Sequence, residues 1–315
     1  MAFKQVIETT EYLDTPIIKK EDAARFLNKW GIKSQEMKLK NINGDKEQTL
    51  FVKIKIPGKN GKTKGGASPT LGIIGRLGGI GARPEQIGLV SDADGAIIAL
   101  SAAAKIAVMR DKGDHLQGDV IISTHLCPKA PVIPHHPVPF MGSPVSIEVM
   151  NQHEVDPCME AILSIDTTKA NRITNHKGFA ISPTVKSGYI LRVSESLLDI
   201  MEWVTGKLPV VFPLTIQDIT PYGNELFHIN SILQPSTATP SPVVGVAITS
   251  EVPVPGCATG ANHLTDLESA VRFVLEVAKS YGKGTCPFTD EKEFQKLLSL
   301  YGPLDHLQTL GKQSI

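Results

Sequence analysis

Residues 90 to 109 read VSDADGAIIALSAAAKIAVM. Two acids, Asp92 and Asp94, stand with one residue between them at the mouth of an alanine-rich helix. Two chemistries suit them. A carboxylate at a helix N-terminus accepts backbone N–H bonds and favours the helix dipole. A carboxylate at such a turn can instead ligate a metal. A cap explains one acid better than it explains two. Other chemistry-bearing residues close apolar segments in the same way: Arg76, His125, Cys127 and Asp166, with His263 just ahead of a late helix.

Each of these also has a plainer reading. Asp166 closes a buried strand and suits an Asx turn or a cap. His263 suits an ordinary loop histidine, although neutral imidazole is the commonest neutral metal ligand. Arg76 suits an ion pair with Asp92 or Asp94. In that case a fixed positive charge stands in for a metal, and the site binds an anion or a carboxylate. Cys127 suits a small buried hydrophobe. It also suits a soft metal ligand, or a nucleophile beside His125. His135 and His136, in PVIPHHPVPF, suit a lid or an oligomer contact. One of them could join His125 and Cys127 in a softer zinc site.

The elements around these residues follow from spacing. KKEDAARFLNKW (19–30) carries helical apolar spacing and stops before Gly31. TLFVKIKIPG (49–58) alternates as a strand does, and a Gly/Lys loop follows to Pro69. TLGIIG (70–75) is a short apolar strand ahead of a glycine-rich loop, RLGGIGARPEQIG. The spacing predicts a helix over 94–111, a strand over 119–126 and a proline-rich loop over 127–144. It predicts further strands over 161–168, 208–216 and 242–249, and an amphipathic helix over 193–206. The clearest helix spans 264–282, with Thr265 or Asp266 starting it and Gly282 ending it. Strands alternating with helices imply an α/β protein with a largely parallel sheet and helices on both faces. Such sheets bind ligands at the carboxyl ends of their strands.

Composition narrows the function. Lys+Arg and Asp+Glu both number 32 in 315 residues, so no basic excess invites nucleic acid or an anionic membrane. Aromatics are 5%, too sparse for a base-stacking surface. The start MAFKQVIETTEYLD lacks signal-peptide features, and no apolar run is long enough for a bilayer. The four cysteines form no CxxC pair, as expected of reduced thiols in a cytoplasmic protein. The partner these features leave is a small-molecule or peptide-like substrate.

The order of the pieces resembles the zinc-dependent aminopeptidase and deacylase superfamily. PTLGIIGRLGGIGARP sits where that superfamily has an apolar strand ending in His-x-Asp. SDADGAIIALSAA resembles its bridging-aspartate turn, and GDVIISTHLCPKAP occupies the place of its Glu-Glu strand. ILSIDTTKAN resembles its later acid, and GANHLTDLESAVRFV its final histidine and helix. The chain as a whole resembles a bacterial family of unknown function that is a divergent branch of the group. The resemblance implies a three-layer α/β/α domain over 1–315, with a protruding proline-rich loop near 128–160. It also implies a homo-oligomer, and zinc or another divalent metal on Asp92, Asp166 and His263. Arg76 replaces the expected histidine, Gly78 the following aspartate, and Cys127 and Pro128 the two glutamates. The implied function is a hydrolase of small amide or peptide-like substrates with a remodelled site. Cys127, His125 or one of His135 and His136 would supplement the metal. The alternatives are a non-hydrolytic binder of a small carboxylate or amino acid through Arg76, and a metal-free enzyme with Cys127 as nucleophile.

Overall fold

The computed structural model describes residues 1–44, 47–134, 140–229, 231–254 and 259–311. In chain order the elements are α1 (Phe3–Leu13), α2 (Lys20–Lys29), β1 (Met37–Asn43), β2 (Gln48–Ile56), β3 (Leu71–Gly75) and α3 (Asp94–Asp111). There follow β4 (Val120–Leu126), a small antiparallel pair β5 (Val132–Ile133) and β6 (Phe140–Met141), α4 (Ile147–Glu154) and β7 (Ala161–Thr167). The chain continues through β8 (Gly178–Ile181), β9 (Val185–Lys186), β10 (Tyr189–Ile190) and α5 (Glu195–Thr205). It closes with β11 (Val243–Thr249), α6 (Leu264–Gly282) and α7 (Glu291–Tyr301).

Nine strands form one mixed sheet in the order β1-β2-β4-β3-β7-β11-β9-β10, with β8 also paired to β11. The four central strands, β4, β3, β7 and β11, run parallel; the flanking pairings are antiparallel. The central strands are buried on both faces, which is why they read as continuous apolar runs. The α/β expectation therefore holds, with the parallel pairing confined to the centre.

One face carries α3, α6, α1 and α5 over a large apolar core. The alanine-rich α3 is apolar all round because it lies between the sheet and the helices α1 and α6. Gly95 lets it dock so closely: a Cβ there would stand 2.5 Å from the Arg76 carbonyl and 2.7 Å from that of Ile165. The second face is covered mostly by irregular chain. Phe212, Ile219, Ile232 and Leu233 pack onto Ile74, Ile121, Ile162 and Val243 of the sheet.

Several expectations need correction. Residues 208–216 do not form a strand; one bridge joins Val211 to Ile181. Pro209 and Pro213 have no N–H for a ladder, and Val210, Phe212 and Leu214 are used as packing instead. Helix α6 begins at Leu264, with His263 as its N-cap and no side-chain cap bond. Part of 128–160 is not a loop: α4 runs there, capped by Ser146, and packs on β4 and β2. His135 and His136 lie outside the described residues.

Candidate functional site

Strand alternation aims the site. Successive side chains point to opposite faces, so His125 shares the face of Ile121, and Asp166 that of Ile162. Arg76 follows β3 on the face of Ile74. The register sets Gly75 level with Thr124 and Ile165, so Arg76, His125 and Asp166 come level at adjacent strand ends. All three are buried, and α4 closes over that face.

The helix brings Glu154, which is fully buried. Its Oε2 accepts from Arg76 Nη1 at 2.7 Å, and its Oε1 lies 2.5 Å from His125 Nδ1. Burial pushes the Glu154 carboxyl up, but His125 and Arg76 outweigh it and hold the group below the usual range. Arg76 was expected to pair with Asp92 or Asp94. It pairs with Glu154 instead, because α4 fills the space over the strand ends. Arg76 Nε, Arg76 Nη2 and His125 Nε2 are buried and have no hydrogen-bond partner among the described residues.

Asp92 and Asp166 complete the cluster. Asp92 Oδ2 accepts the backbone N–H groups of Gly78 (2.6 Å) and Gly79 (3.0 Å). A Cβ at Gly78 would stand 3.0 Å from that oxygen, so the glycine loop is shaped around the carboxylate. Asp166 accepts from its neighbour Thr167 N (2.7 Å) and from Ser231 Oγ (2.9 Å). Burial, then the charge of Asp166, raises the Asp92 carboxyl to about 8. Burial raises Asp166 to about 6, against the pull of Thr167, Ser231, Arg76 and His125. Between those values the pair holds one proton.

Asp94 belongs to a different network. Its carboxylate takes Lys169 Nζ (2.6 Å), Thr167 Oγ1 (3.1 Å) and Asn262 Nδ2 (2.6 Å). Asp92 and Asp94 lie in first helical turns, where their charge suits the helix N-terminus, but among the described residues neither makes a side-chain cap bond to α3.

The other expected residues stand apart. His263 is half-exposed, with Nδ1 3.6 Å from Asp266 Oδ2. Cys127 is buried beside Ala82, Val90 and Ala130. Burial raises its thiol, against smaller pulls from Lys129 and Thr49, which is opposite to what a thiolate nucleophile needs. His125 is turned to Glu154. Among the described residues no group of three His, Cys, Asp or Glu side chains is placed to hold a metal ion. The donor set explains this: a buried guanidinium stands beside Asp166, and two amides already occupy one oxygen of Asp92. The residues present do not fit the zinc centre that the resemblance implied.

Glu154, Lys169, Asn262 and Ser231 are the members that sequence reasoning missed. A signal existed for Glu154, since Ser146 heads a short helical stretch, IEVMNQHE. Lys169, by contrast, meets Asp94 across 75 residues with no local sign.

No curated protein matches the chain. Among solved structures it is similar to a crystal structure of an Acidobacteriales bacterium glutaminyl cyclase, at 12% identity and a TM-score of 0.48, covering 90% of this chain and 94% of that one. No helix among the described residues is long and apolar enough to cross a membrane. Residues 40–311 match a family described as a protein of unknown function (DUF1177), and the chain belongs to that family.

Proposed function

We propose that the chain is a hydrolase of small amide or peptide-like substrates that works through its own acid pair and a fixed guanidinium. One observation carries the reading. Arg76 Nε and Nη2 and His125 Nε2 are buried and have no partner among the described residues, and the charge of Arg76 acts on Asp166 of the acid pair. Arg76 Nε and Nη2 are donors, and a buried unpaired donor costs about 1–3 kcal/mol, so such a guanidinium is expected where a ligand's oxygen is to be held.

The roles follow from the environments. Pairs of acids whose surroundings push them apart divide into acid and base. Near neutral pH Asp166 is the ionised member and takes a proton from water as the water oxygen attacks the amide carbon. Arg76 faces the negative charge that develops on the carbonyl oxygen. Asp92 gives its proton to the leaving nitrogen as the C–N bond breaks. The products are an acid and an amine, and solvent returns the proton from Asp166 to Asp92. Glu154 holds Arg76 and His125 in place and touches no reacting atom.

The test is a panel of N-acyl amino acids and amino-acid amides, followed by mass spectrometry from pH 5 to 9. We expect turnover that peaks between about 6 and 8. Asp166→Asn should lower kcat by about a hundredfold or more. Turnover that survives Asp166→Asn, or none across the panel, would overturn the reading.

The unpartnered nitrogens of Arg76 also favour a second reading, binding of a small carboxylate without turnover. It predicts thermal stabilisation by that carboxylate, lost in Arg76→Ala, with no product formed.

A further inference from the structure

Strand β1 ends the sheet. It pairs antiparallel with β2, and among the described residues its backbone makes no hydrogen bond on the other side. An edge strand of seven residues presents a row of N–H and C=O groups that another strand can join. We propose that this edge docks an extended acidic segment of a partner protein, which adds to the sheet as a further strand.

The side chains select that partner. Residues directly opposite each other in the pair share a face, so Lys38 stands beside Lys53 and Lys40 beside Phe51. Lys53 is answered by Asp156 at 3.2 Å. Lys38 and Lys40 are exposed and, among the described residues, neither has an ion-pair partner. The strand itself, MKLKNIN, carries no acid. Of the flanking acids, Glu36 is taken by Arg110, and Glu47 lies beyond the Asn43 end of the pair. Like charges directly opposite each other cost stability, and an acid laid along the edge offsets that cost. The field of these lysines reaches α4: burial, then Lys40 and Lys53, hold the His153 imidazole below its usual range against the pull of Glu154. The other face of β1 differs, since Met37 and Leu39 pack on the main core. An added strand therefore meets lysines on one face and apolar side chains on the other. It fits a segment in which Asp or Glu alternates with apolar residues. A second copy of the chain is disfavoured, because β1 against β1 brings the lysines of both copies onto one seam.

The edge does not depend on the proposed hydrolysis, and its test reads binding alone. The full chain is mixed with a seven-residue peptide of alternating Glu and Val, capped at both ends, and hydrogen exchange across Met37–Asn43 is followed by mass spectrometry. The peptide should slow that exchange saturably, and a Lys/Val peptide should not. Lys40→Gln should weaken the effect about two- to fivefold, the range of one exposed ion pair. Lys38→Glu with Lys40→Glu should reverse the preference, so that the Lys/Val peptide protects the strand. Lys40→Gln alone serves if the double variant does not fold. The proposal fails if the Glu/Val peptide gives no protection at millimolar concentration, or if charge reversal leaves the preference unchanged. It fails too if the Glu/Val peptide with every amide N-methylated, or a single-stranded oligonucleotide, protects β1 equally, since charge alone then suffices. Protection in the peptide-free chain that grows with protein concentration would give the edge to a second copy and overturn the proposal.

Discussion

Asp92 and Asp94 lie two residues apart and are both buried, yet they sit in opposite surroundings. Asp94 faces the amine of Lys169, an amide and a hydroxyl, so its charge is answered from three directions. Burial also pushes its carboxyl up, and there Lys169, Asn262 and Thr167 pull against the rise. Asp92 has two backbone amides and a like-charged neighbour, Asp166. A buried acid with a full set of partners holds structure together. A buried acid set against another acid is kept at a cost, and such costs are expected where a site acts on a ligand. On the proposed reading, the difference places Asp94 with the fold and Asp92 with the chemistry.

The sharpest way to break that contrast is to remove each acid. Asp94→Ala strands Lys169, whose side chain is 2% exposed. Losing one member of a buried ion pair costs about 3–5 kcal/mol, and urea denaturation should show it. Adding Lys169→Met should recover much of the loss, since the stranded charge goes with it. Asp92→Asn should cost far less than Asp94→Ala, because it removes a repulsion. Equal losses would dissolve the distinction. Next comes the support beneath both acids. Gly95→Ala drives a methyl into the carbonyls of Arg76 and Ile165, which cannot turn aside, and should cost about 1–3 kcal/mol.

A pH series sharpens the contrast further. The Asp92 carboxyl is raised from an ordinary 3.8 to about 8 in the folded chain. The native state therefore binds more protons than the unfolded state between those values. Stability from this group is fully present below about pH 4 and is lost as pH rises towards 8. Asp92→Asn should remove that part of the slope, so the wild type loses ground to the variant over the window. A slope of the opposite sign would place a cation beside Asp92. The smallest effect belongs to Cys127. Cys127→Ala should leave turnover unchanged, since its thiol is buried and raised; a loss of activity would return the cysteine to the site.

The sheet centre was legible because its strands are short apolar runs between turn signals. Leu71–Gly75, Val120–Leu126, Ala161–Thr167 and Val243–Thr249 all lie within a residue or two of the ranges their spacing predicts. Helices α3 and α6 were legible for the same reason. The placement of Arg76, His125 and Asp166 at strand ends also followed, because parallel sheets present their carboxyl ends together. Their partners did not follow. Glu154 lies on a one-sided helix within a proline-rich region, and only the covering of the second face brings it to Arg76. The strand expected over 208–216 misled because apolar β-branched residues serve irregular packing as readily as a ladder. His263 stands at the head of α6 as its position suggested, but half-exposed and turned towards Asp266, which spacing alone does not reveal.

On the proposed reading, Arg76 rather than a metal ion supplies the fixed positive charge beside Asp92 and Asp166. The direct test is plasma mass spectrometry on untagged protein after dialysis against zinc, manganese or cobalt and then against metal-free buffer. The prediction is far less than one metal per chain, with hydrolysis unchanged by a chelator. One or two metals per chain that vanish in Asp92→Ala would contradict it, and would make the acid pair a metal site.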